Sequence, residues 1–299
     1  MVMNRVTLRL PVDDPGSCSN TGSTATLLSI RMTRGTAAVA GMEQTPPGGS
    51  IPLLLAAARA LREDVARLRF SPPVTHVYNP LDYAWEGHRQ YLERFGKGPK
   101  RIVFLGMNPG PFGMMQTGVP FGEVAAVRDW MGIRADIPPP VAQHPKRPIQ
   151  GFDCPRSEVS GRRLWGWAAL RYGRAEAFFA DAFVINYCPL VFLEASCRNR
   201  TPEQLPAAEL RPLYAACDRH LAASIAALQP AWLIGIGGFA EKRLKRLVQE
   251  SDLLDSELAR RLHIGQVIHP SPASPAANRG WIEAVDQRMR EYGLLQEST

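Results

Sequence analysis

Cysteine is scarce in this chain of 299 residues: Cys18, Cys154, Cys188, Cys197 and Cys217 are odd in number, scattered, and form no C-x-x-C pair. That excludes a disulfide scaffold and a zinc ribbon and suits a reducing compartment, cytoplasmic or, in a eukaryote, nuclear. No run of eighteen or more apolar residues offers a membrane span, so no membrane partner is expected. Acidic residues are outnumbered, 28 against 35 basic, for a formal net charge of +7. An excess of this size favours polyanionic partners through steering and counterion release, but it does not single one out. A hydrophobic fraction of 45% and a charged fraction of 21% are ordinary for a globular protein and rule out a wholly disordered chain.

Periodicity is missing from the first fifty residues, which are rich in Ser, Thr, Gly and Ala and end in the breaker cluster Thr45–Ser50. Asp13, Asp14 and Pro15 interrupt the segment, so it is no secretory signal. It reads as a disordered extension, or as sequence upstream of a later start such as Met42. Four arginines and three acidic residues leave it at +1, so +6 lies on residues 51–299. That remainder, without an internal repeat, reads as one domain. Residues 51–68 carry apolar side chains at helical spacing. Four short apolar runs, 101–107, 182–187, 232–237 and 263–269, read as buried strands. Helical patterns near 122–131, 161–172, 207–228, 239–249 and 280–292 lie between and after them. The alternation predicts an α/β fold, a three-layer α/β/α sandwich around a central, mostly parallel four-stranded sheet.

Ligands of open α/β sheets bind beyond the carboxyl ends of the strands. Here the first strand runs into Asn108-Pro109-Gly110-Pro111-Phe112-Gly113, the second ends at Asn186, and the fourth ends at His269-Pro270-Ser271-Pro272. The third enters Gly235-Ile236-Gly237-Gly238, which reads as a close-packed strand-to-helix turn. Two asparagines and a histidine facing one crevice make a neutral, hydrogen-bonding site. Paired carboxylates, a Ser/His/Asp arrangement and metal-ligand spacing are all absent, so no metal is expected. The stretch 106–124 lacks the lysine of a phosphate-binding loop, and 235–238 lacks the third glycine of the dinucleotide fingerprint, so no nucleotide cofactor is expected either.

GMNPGPFGMMQTGVPFGEV (106–124) and HPSPASPAANRGW (269–281) resemble the two active-site motifs of the single-strand-selective monofunctional uracil-DNA glycosylases, within the uracil-DNA glycosylase superfamily. YNPLDYAW (78–85), HPKRP (144–148), SEVSG (157–161) and NYCPL (186–190) agree with that family, and the similarity runs from about Val74 to Leu295. The resemblance implies a cofactor-free hydrolase that flips a uracil-type base out of DNA, breaks its N-glycosidic bond and so initiates base excision repair. It implies that Asn108 positions the attacking water and that His269 stabilises the departing base anion. Asn186 is expected to read the base, Phe121 to stack on it, and Met107, Gly110 and Phe112 to line the pocket. Gly110 stands where related uracil-specific enzymes carry a tyrosine that excludes the thymine methyl. That predicts acceptance of 5-substituted uracils such as 5-hydroxymethyluracil, in single- and double-stranded DNA.

The 271–280 loop is similar to the family's wedge, with Ser271, Pro272, Ala273 and Arg279 expected at the DNA. It departs from the pattern at Ala273, where relatives commonly carry an intercalating arginine, which predicts weaker penetration of duplexes. Lys146 and Arg147, with His144, Arg156, Arg162 and Arg163, are expected phosphate contacts. Trp165 and Trp167 read as core. The cysteines lack the clustering of the superfamily's iron–sulfur members. A monomer is expected, because a wedge must reach DNA freely. Two other functions fit the same Asn/His pocket: a nucleoside or nucleotide hydrolase acting on free substrates, and a non-catalytic binder of damaged DNA.

Overall fold

The computed structural model describes residues 49–250 and 252–296. The extension expected over residues 1–50, with its alternative start at Met42, lies almost wholly outside them. In chain order the elements are α1 (Ser50–Ala66), β1 (Val74–Tyr78), α2 (Pro80–Tyr83), α3 (Trp85–Phe95), β2 (Ile102–Gly106) and α4 (Met114–Thr117). Then come α5 (Val159–Tyr172), α6 (Ala175–Asp181), β3 (Ala182–Asn186), β4 (Val191–Glu194), β5 (Asn199–Arg200) and α7 (Ala207–Leu228). The last are β6 (Trp232–Ile236), α8 (Gly238–Glu250), α9 (Ser256–Arg261), β7 (His263–Val267) and α10 (Pro275–Glu291).

The four expected strands form one sheet in the order β3-β2-β6-β7, parallel throughout. Every residue of β2 and β3 is buried, which is why both read as continuous apolar runs rather than alternating ones. Helices cover both faces. Phe104 packs edge-on to Trp167 of α5 and stacks with Phe178 of α6. Gly235, pointing to the opposite face from its neighbour Ile234, lies directly under the backbone of Ala240 and Glu241 in α8. Trp165 and Trp167 are both core residues, as expected.

A second sheet, β1-β4-β5, is antiparallel and was not anticipated. Its strands are short, and β1 is buried only at its ends, so it shows neither a full alternation nor a continuous apolar run. The helix expected over 122–131 runs from 124 to 130 and ends in a wide turn, Ala126–Trp130. The last helix starts earlier than expected, at Pro275, and bends at Gly280. Among the described residues no helix is long and apolar enough to cross a membrane.

Parallel pairing in register puts the carboxyl ends of β2, β3, β6 and β7 at one edge. Gly106 lies opposite Asn186, Gly235 opposite Gln266, and Ile236 opposite Val267. The 107–113 loop, Asn186 and the 268–274 loop therefore leave the sheet side by side.

Candidate active site

At that edge lies a pocket of about 410 Å³ lined by Met107, Asn108, Gly110, Phe112, Phe121, Asn186, His269, Ser271 and Pro272. All seven residues assigned from sequence to catalysis or the base share it, with two of the expected wedge residues. Ala273 and Arg279 are exposed on the loop beyond, and Lys146 and Arg147 stand outside the lining.

The inner wall depends on the absence of a side chain at the end of β2. A methyl at Gly106 would lie 2.5 Å from a Phe121 ring carbon and would collide with Asn186 Oδ1. Phe121 reaches this position with φ 52°, a left-handed conformation costly for a non-glycine residue. Its surroundings hold it there: its carbonyl accepts from Trp165 Nε1 (2.9 Å) and from the Glu123 amide (2.7 Å). Phe121 and His269 face across the pocket with ring centroids 6.3 Å apart.

Asn186 is buried. Its Nδ2 donates to Met114 Sδ at 3.4 Å, and its Oδ1 has no partner. An orphaned buried acceptor costs roughly 1–3 kcal/mol, so this oxygen is poised for a ligand donor. The Asn108 amide is oriented from behind, its Nδ2 donating to the Leu190 carbonyl (3.2 Å). A carbonyl can only accept, so the amino group must face Leu190, leaving Asn108 Oδ1 as an acceptor.

The Ser271 amide donates to His269 Nδ1 at 3.1 Å, so that nitrogen carries no proton and Nε2 is the N–H of the neutral ring. Burial also lowers the His269 pKa, which favours the neutral form. Gly237, at φ +90°, packs against the histidine, with its missing Cβ 3.1 Å from His269 Cβ. The close-packed turn expected at 235–238 is thus also a seat for His269.

Two side chains expected at phosphates are used internally. His144 is buried, with Nε2 3.2 Å from the Ala195 carbonyl, because its turn is drawn against β1. Arg163 spans from α5 to the loop after His269, donating to the Pro270 carbonyl (2.8 Å) and to Asn278 Oδ1 (2.9 Å). Asn278 in turn donates to the Pro272 carbonyl (2.8 Å). Arg163 therefore fixes the turn that sets the His269 tautomer.

Sequence reasoning missed Glu158, which lines the pocket. A Cβ at Gly110 would stand 2.9 Å from Glu158 Oε1, so the carboxyl bounds the space that this glycine leaves open. Burial, with the nearby charge of Glu123, pushes its pKa up to about 7, against the opposing effect of the Ser160 and Gly161 amides. An acid just before a helix start resembles a cap, which hid it. Among the described residues no group of three or more His, Cys, Asp or Glu could hold a metal ion.

Known proteins resemble the chain at both levels. The uracil DNA glycosylase superfamily profile matches residues 94–288. A single-strand selective monofunctional uracil-DNA glycosylase of Rattus norvegicus is 47% identical over 235 residues, 79% of this chain and 82% of its own length. The Mus musculus protein of that name is 46% identical over the same shares. The crystal structure of Pedobacter heparinus SMUG2 has a TM-score of 0.56 at 18% identity, covering 81% of this chain and 99% of its own, a likeness of fold. With both active-site motifs at the mouth of one pocket and this much identity along the domain, the chain belongs to the uracil DNA glycosylase superfamily.

Proposed function

We propose that this protein is a monofunctional DNA glycosylase that hydrolyses the N-glycosidic bond of uracil, and of 5-substituted uracils such as 5-hydroxymethyluracil, in single- and double-stranded DNA. The observation that carries the reading is the unpartnered Asn186 Oδ1, buried in a pocket with neutral His269 and Asn108. Uracil offers N3–H to such an acceptor and O4 to the amide's free N–H. Cytosine offers an acceptor at N3 and a donor at N4, so each of its groups would meet its like.

As C1′–N1 lengthens, the sugar becomes oxocarbenium-like and negative charge gathers on the base, largely at O2. His269 Nε2–H is the donor for that charge, neutral beforehand and held by the Ser271 amide. A fixed donor of this kind contributes about 3–4 kcal/mol. Asn108 Oδ1 accepts a hydrogen bond from the attacking water and aims its lone pair at C1′. An amide is too weak a base to take the proton, which suits a dissociative reaction in which the sugar cation forms first; once the water oxygen has bonded to C1′, its proton passes to the departed base anion or to solvent. Phe121 stacks on the flipped base. The room beside Gly110, bounded by Glu158, receives the 5-substituent. Among the described residues no lysine lines the pocket, in keeping with attack by water rather than by an amine.

Incubation with single-stranded oligonucleotides carrying uracil, 5-hydroxymethyluracil, hypoxanthine or thymine, with chelator present, tests the reading. Free base and alkali-sensitive sites at uracil and 5-hydroxymethyluracil are expected. Turnover of free deoxyuridine or dUMP with none on oligonucleotides would make the protein a nucleoside or nucleotide hydrolase. Affinity for uracil-DNA without base release would make it a binder.

A further inference from the structure

Two guanidinium groups at the mouth of the pocket share one aromatic ring. Arg156 Cζ lies 4.2 Å from the centroid of Phe112, and Arg147 Cζ lies 5.2 Å from it. Phe112 and Arg156 both line the pocket. Neither arginine forms an ion pair among the described residues. Arg147 donates from Nη1 to the Lys146 carbonyl (2.8 Å), and its buried Nε has no partner. The negative face of the ring attracts each cation, but the two cations repel each other, and an anion between them relieves that repulsion.

The scaffold beneath is rigid. Tyr78, buried in β1, accepts at its hydroxyl from the His144 amide (2.6 Å) and donates to the Arg147 carbonyl (3.0 Å), fixing the 144–147 turn. Gln116, also buried, donates from Nε2 to the carbonyls of Pro111 (3.1 Å) and Pro148 (3.2 Å). These residues adjoin Phe112 and Arg147 in sequence, so a single side chain ties the two loops together. Gln116 Oε1 also accepts from the Gln150 and Gly151 amides, anchoring the segment that leads to Arg156. Burying one glutamine to join these loops gives the cationic pair a fixed spacing that solvated surface arginines lack.

We infer that Arg147 and Arg156, carried on the Phe112 ring, form a clamp for a DNA phosphodiester beside the flipped nucleotide. The inference rests on the reading that DNA is the substrate. Planar guanidinium forks match phosphate oxygens in pairs. The wedge loop supplies no cation at Ala273, and the clamp supplies its charge from the separate 144–156 segment. Phe112 is then a platform for the arginines rather than a contact to the base.

The test is binding and cleavage of a uracil-containing single-stranded oligonucleotide by wild type and by the Arg147→Gln/Arg156→Gln double variant across a salt series. Each phosphate contact on a single strand adds about 0.7 to the salt slope. The double variant, losing one such contact, is therefore expected to lose about 0.7 of slope and to bind at least tenfold more weakly at low salt. Neutral methylphosphonates placed one at a time at the linkages around uracil locate the contact. Wild type should lose affinity at one linkage, and the double variant should lose nothing further there. A double variant with the wild-type slope and the wild-type methylphosphonate penalty overturns the clamp. Absence of uracil release by wild type would instead overturn the glycosylase reading, and the binding series would still decide the clamp.

Discussion

The inner wall and the rim of the pocket are built on opposite terms. Asn186 and Phe121 form a wall that is buried and without net charge, Asn186 tied through its amide to Met114 and Phe121 through its carbonyl to Trp165, both distant in sequence. The rim, with Arg147, Arg156, Ala273 and Arg279, is more exposed, and what it offers is charge. The wall suits a reaction in which charge appears only in the transition state, because neutral, fixed dipoles gain most from charge that was not there before. The rim suits a partner whose charge is permanent. Affinity for DNA and rate at the base should therefore respond to different substitutions.

Outside the catalytic pair Asn108 and His269, the largest effect is expected from Gly106→Ala, a change of one methyl group on the inner wall. It drives Asn186 and Phe121 out of position, and misplacement near 1 Å costs about 10²-fold in rate. Single-turnover base release checks this, with DNA affinity nearly unchanged; a loss confined to affinity would erase the distinction between wall and rim. Arg163→Ala should cost about 10- to 10²-fold in kcat, the loss of a charged hydrogen bond of roughly 1.5–3 kcal/mol. Its pH–rate profile should change shape as the His269 turn loosens, an effect that a merely structural role would not produce.

A few-fold gain is expected from Ala273→Arg, confined to double-stranded substrate, read as the ratio of duplex to single-strand cleavage. An unchanged ratio would remove the wedge loop from the account of strand preference. A separate effect, outside the pocket's catalytic terms, is one of stability. His88 and His220 are buried and neutral, with burial lowering their pKa values to about 4 and about 3. Between pH 6.5 and about 4 the unfolded chain binds protons that the folded chain does not. Stability should therefore fall with pH across that window, by up to about 1.4 kcal/mol per unit for each histidine. The raised Glu158 acts in the opposite sense and offsets part of the fall. Urea midpoints at pH 7 and pH 5 measure the balance.

The parts of the fold legible in the sequence are those buried on all sides. The strands β2, β3, β6 and β7 announce themselves as apolar runs, and α7 spans the expected 207–228. Not legible was α3, whose buried residues Gly87, His88, Tyr91, Leu92 and Phe95 alternate with Glu, Arg and Gln in a mostly polar segment. The site divides in the same way. Asn108, Asn186 and His269 stand at strand ends, where local pattern places them. Tyr78, Gln116 and Arg163 work through partners between five and more than one hundred residues away, and no short motif encodes that.

The central claim is that a neutral His269 donor and the Asn108-held water carry the chemistry. Single-turnover release of uracil from a single-stranded oligonucleotide by wild type, Asn108→Ala and His269→Leu, at saturating enzyme, tests it most directly. The account predicts loss of about 10²–10³-fold for His269→Leu, and a large loss for Asn108→Ala, with DNA still bound. Wild-type rates in both variants would contradict it.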